Sequence, residues 1–398
     1  MKRRDQGISN AWSFLLGFVI LTVVVPGVLI GPARAVRIIG SAVSNTIVER
    51  PVAVGTDVPD HALPVVDLHI SNNELVFRSV HYPIVSENMG DRTVVHFDTA
   101  GGSPFGPFNT LLIKEPAADL LSGTLALWVA GRMSVPIVSH RLIFLQQDGQ
   151  DVGLREMAEV VDRKFEQYRN VSDLEVDVFR VKEDIVPGTD PWKDIAHWDT
   201  RAANGPAIEQ FNKLLTLLND TLIEPADRRN EMASLMDEEA FDHYCAAMFM
   251  LGVTRETPAR TVIVLDPRIG KFIPVLVEAP LVPATDVRAG NDGWDLLTKR
   301  LLEVADRRKE RDRLVQEAIA SLHRSGEFDE KVSEFSHLVS PSIKNPGKSR
   351  RPLFSMQGAA AGGLEWGTED LQRRVSEYWN NTVPVVSSQA AGVEPIVP

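Results

Sequence analysis

Twenty-one consecutive residues, Ala11 to Gly31 (AWSFLLGFVILTVVVPGVLIG), carry no charge, and that run limits the chain's options more than any other feature. An uncharged stretch of about 20 residues is long enough to cross a bilayer as a helix. A buried core helix is disfavoured by Lys2, Arg3 and Arg4 just ahead of the run. Basic residues before a span hold that end on the cytoplasmic side, which puts the body across the membrane. Two readings stay open. Length favours an uncleaved signal anchor through residues 11–31, a single-pass membrane protein with its N-terminus cytoplasmic. A secretory signal has a shorter apolar region, of about 7–15 residues, and a small-x-small cleavage site. Ala33-x-Ala35 offers such a site, and cleavage there makes the body secreted.

The rest is globular in composition, with 44% apolar and 24% charged residues over a length that suits a two-lobed or two-domain chain. The net charge of −12 argues against nucleic acid as a partner, because phosphate backbones need a basic surface. Cys245 is the only cysteine, so no intrachain disulfide and no CxxC motif exists. It lies in an apolar helical stretch, AFDHYCAAMFML, where it reads as a small buried hydrophobe. No HxH, HxxxH or HExxH spacing occurs among the 9 histidines, which argues against a zinc hydrolase. GxSxG and GxxxxGK[ST] are missing too, so neither a serine-hydrolase elbow nor a P-loop is supported.

From Val36 to about Phe108 the chain reads as short strands: VRIIG, VVDLHIS, ELVFRSV and RTVVHFD. Leu120, Leu121, Leu125, Trp128 and Val129 then recur at helical spacing. HRLIFLQQDGQDVGLREMAEVV reads as a strand, a DG turn and a second strand or helix start. Ala207–Leu251 and Trp294–Gly326 read as helical. Between them, Thr261–Leu265 and Phe272–Val277 flank Asp266–Lys271 as an antiparallel hairpin, because DPRIG carries turn chemistry. The tail after Thr382 has a disorder-prone composition.

The order of these pieces resembles the CotH family, the spore-coat-protein-H-like atypical protein kinases. In DLLSGTLALWVAGRMSVPIVSHRLIFLQQDGQDVGLREMAEVVDRKF, Asp148-Gly149 stands where that family has Asn-Gly, and Gly153 matches its second glycine. Glu159, Asp162 and Phe165 match the acids and the phenylalanine that follow, while Arg155 replaces a tyrosine. The resemblance extends from Ile113 to Ile343. It implies an α+β, bilobal, atypical-kinase-like fold, with a β-rich N-terminal lobe (36–112) and a mostly helical C-terminal lobe within a core at 113–345. An N-terminal transmembrane helix or signal peptide (1–35) and a partly disordered extension (346–398) flank it.

The same resemblance implies phosphoryl transfer with ATP and Mg²⁺ as cofactors, were the chain active. That chemistry needs cations on the phosphates, oxygens on the metal and a carboxylate to orient the acceptor. The family's hairpin ends in DxD; here Glu278 stands at its first Asp and Pro280 at its second. Glu278 is thus the candidate metal ligand and the remnant of an acidic pair, with a rim carboxylate as its plain reading. Arg255 replaces the expected base, and a guanidinium does not accept a proton; Glu256 is the substitute base if the loop shifts by one residue. Glu159 is the candidate carboxylate partner of a phosphate-binding cation, or an interlobe ion-pair residue. Arg92 is the nearest match to a lysine-rich strand. Asp292 and Asp295 in NDGWDLL suit a turn and a helix first turn. These replacements favour a degenerate pseudokinase acting as a binding or scaffold module for an envelope protein partner. The alternatives are an active divergent kinase and an envelope structural protein that binds no nucleotide.

Overall fold

The computed structural model describes residues 63–344, apart from the short segments 89–91, 98–102, 107, 116–122, 169–172, 184, 187, 256–257 and 282–292. The expected anchor at residues 11–31 lies outside the described residues, as do VRIIG, Glu256, Asp292 and the tail. Among the described residues no helix is long and apolar enough to cross a membrane.

Seven strands form the first layer: β1 (Val65–His69), β2 (Glu74–Phe77), β3 (Val80–Asn88), β4 (Arg92–Phe97), β5 (Thr110–Lys114), β6 (His140–Gln147) and β7 (Gln150–Glu159). They close in the order β1-β2-β3-β4-β5-β7-β6. Six of the seven contacts are antiparallel; the seventh, β1 on β6, is parallel, with Val65 opposite Phe144 and Leu68 opposite Gln147. Alternation points Val66, Leu68, Leu75, Phe77, Val95, Leu111, Ile113, Ile143, Leu145 and Met157 into the barrel, where Phe105 and Phe108 join them.

The outer face of β6 and β7 is buried as well. Leu142, Leu154 and Ala158 belong to a second core with helix α1 (Thr124–Arg132) and with the rest of the chain. A four-stranded sheet in the order β11-β10-β8-β9 makes part of that core, from β8 (Asp177–Val181), β9 (Trp198–Ala202), β10 (Arg260–Asp266) and β11 (Lys271–Glu278). Helices α2 (Gly205–Asn219), α3 (Pro225–Leu235), α4 (Glu238–Met250), α5 (Leu296–Leu302), α6 (Ala305–Ala318) and α7 (Glu327–Lys344) complete it. Phe179, Phe211 and Phe272 meet at its centre, the first two stacked at 4.3 Å.

This architecture overturns the kinase-like bilobal expectation. The chain forms a closed seven-stranded barrel with helices packed around it, where a β-rich N-terminal lobe (36–112) followed by a mostly helical C-terminal lobe was expected. The physical reason is edge satisfaction. An open sheet leaves rows of unpaired backbone groups, and β1 removes its edge by pairing with β6, with Val65 opposite Phe144, 79 residues later in the chain. The barrel therefore draws strands from both sides of residue 112. The hairpin does form, in the expected register, with Thr261 opposite Leu276 and Leu265 opposite Phe272. It is not isolated among helices, because β10 also pairs with β8.

Candidate functional site

Lys114 ends β5, whose buried alternate residues, Leu111 and Ile113, turn inward. The same alternation turns Lys114 outward. Its partner in register is Glu156 on β7, and directly opposed residues of an antiparallel pair project to one face. The Lys114 Nζ lies 3.2 Å from Glu156 Oε2 and 2.8 Å from Glu278 Oε2 at the end of β11. One ammonium thus joins a carboxylate of the barrel to a carboxylate of the second sheet. The lysine side chain keeps 13% exposure, Glu156 only 1% and Glu278 34%.

Glu156 is the buried anchor of this group. His140, at the start of β6, brings Nε2 to 3.5 Å from its Oε2, and Thr124 Oγ1 lies 3.0 Å from the other ring nitrogen. Burial works against the charge on Glu156, but His140 and Lys114 together outweigh it and hold the carboxyl below its usual range. The turn into α1 presses on the same carboxylate. Gly123 adopts φ +85°, donates its N–H to Ala279 O at 3.2 Å, and leaves room for Glu156 Oε1 where a Cβ would stand 2.8 Å away. The barrel wall, the start of α1 and the end of β11 therefore meet at one point.

A second set of charges borders it. Arg92 at the start of β4 is opposite Lys114, and Arg260 at the start of β10 is opposite Glu278. Glu183, in the turn after β8, accepts from both: Arg92 Nη1 at 2.8 Å and Arg260 Nη2 at 2.9 Å, each onto Oε1.

The residues singled out from the sequence fall in different places. Glu278 and Arg92 are both in this region, Glu278 at Lys114 and Arg92 at Glu183. Glu159 is buried on β7 and accepts a hydrogen bond from Ser139 N at 3.0 Å. Arg255 is exposed in the bend after α4. Asp295 caps α5 in a capping box with Thr298. Lys114 and Glu156 were missed. Strand RTVVHF has no lysine, and Lys114 stands on the next strand, in LLIKE, directly opposite Arg92. An outward lysine ending an otherwise apolar strand was the signal in the sequence.

The donor set does not suit the Mg²⁺ that the resemblance implies. Magnesium takes near-octahedral oxygen coordination. Glu278 instead faces an ammonium, and the other carboxylate on that ammonium, Glu156, is held by His140. Pro280 brings no side-chain oxygen. Among the described residues no three His, Cys, Asp or Glu side chains gather in a metal-holding arrangement.

No family model matches this chain, and no curated protein does.

Proposed function

We propose that this chain is a binding module of the cell envelope, anchored through residues 11–31, which holds a phosphate-bearing ligand at Lys114 without transferring a phosphoryl group. One observation carries the reading. A cation is held on a nearly dry carboxylate, Glu156, and keeps its remaining exposure at the border between the barrel and the second sheet. Such a lysine is positioned before any ligand arrives, so little is lost in ordering it on binding. Two observations support a lack of turnover. The acid expected to hold metal, Glu278, is neutralised by Lys114. At the position expected to hold the base stands Arg255, and a guanidinium is not a general base.

The test is a thermal-shift titration of the full-length protein with ATP, with and without Mg²⁺. A ligand that binds only the folded state stabilises it by about 2.7 kcal/mol at a hundredfold excess over Kd. Lys114→Met is expected to lose that shift, and the parent is expected to show negligible autophosphorylation. Robust autophosphorylation that Glu278→Gln abolishes would make the protein an active transferase. No shift with any phosphate-bearing probe would leave an envelope structural protein.

A further inference from the structure

We draw no further inference here: the strongest candidate, the small cavity between α3, the start of α4 and the junction of α5 with α6, carries nothing, because its arginines Arg229, Arg300 and Arg307 are already taken by Glu238, Glu303 and Asp242 and nothing in the structure shows what covers its apolar floor.

Discussion

Gly123 shows how narrowly the site is built at the residue scale. Its φ of +85° is costly for any residue with a Cβ, and that atom would press on Glu156 Oε1. Gly123→Ala is therefore expected to destabilise the protein by about 1–3 kcal/mol. It should also weaken phosphate binding, because the carboxylate that holds Lys114 must move. Denaturant melts and a repeat of the ATP titration check both effects. A fully stable variant with unchanged binding would show that Glu156 is not confined in this way. Asp295 offers a test of another kind. Burial raises its carboxyl, hydrogen bonds from Thr298 oppose that, the charge of Asp190 adds to it, and the result is a pKa of about 6. The folded state then binds the proton more tightly than the unfolded chain does. Stability from this group is present below the ordinary aspartate range and is lost as pH rises through about 6. The side chain keeps some contact with water, so the effect is discounted to about 1–2 kcal/mol. Relative to Asp295→Asn, the parent should be more stable at pH 4.5 than at pH 7 by that amount. Urea melts of both proteins at the two pH values measure it.

At the scale of elements, the hairpin was the most legible piece. Two apolar runs around Asp266-Pro267-Arg268-Ile269-Gly270 needed only local turn chemistry, and both strands form in register. Phe272 on β11 has no exposure and meets Phe179 and Phe211 edge-on at 5.7 and 5.4 Å. Phe272→Ala removes the ring that ties the hairpin to β8 and α2, and a cost of about 3–5 kcal/mol is expected. Amide exchange should quicken in β10 and β11 more than in the barrel. Equal quickening throughout would mean that the barrel and the second sheet unfold as one unit. The sequence reads β6 as a strand but leaves β7 open between a strand and a helix start, for a physical reason. Ile143 and Met157 face the barrel interior while Leu142, Leu154 and Ala158 face the second core. Strands buried on both faces lose the alternation by which a half-buried strand is recognised. Helix boundaries failed differently. The expected run Ala207–Leu251 divides into three helices, with Pro225 opening the second and Asp237 capping the third.

With Lys2, Arg3 and Arg4 ahead of residues 11–31, the body is expected on the far side of the membrane. A reporter active only in the cytoplasm, fused after Pro398, should be silent, and a bright fusion would reverse the orientation. The sequence by itself determined the local pieces: the hairpin, the helix through Leu125, Trp128 and Val129 (Leu120 and Leu121 lie outside the described residues), the strands at VVDLH, ELVF and RTVVHF, and, with one cysteine, the impossibility of an intrachain disulfide. Each of these depends on residues close together in the chain, through turn propensity, periodicity or motif spacing. It also placed Glu278 and Arg92 among the residues of interest. Only the tertiary structure decided that the front strands close into a barrel, since β1 and β6 pair across a long separation and parallel pairing leaves no local mark. Only the tertiary structure brought Lys114, Glu156 and Glu278 together, three residues from three strands that no spacing rule connects. Backbone propensity is written over a few residues, whereas an ion pair across a barrel wall depends on register, and register is set by the whole sheet at once.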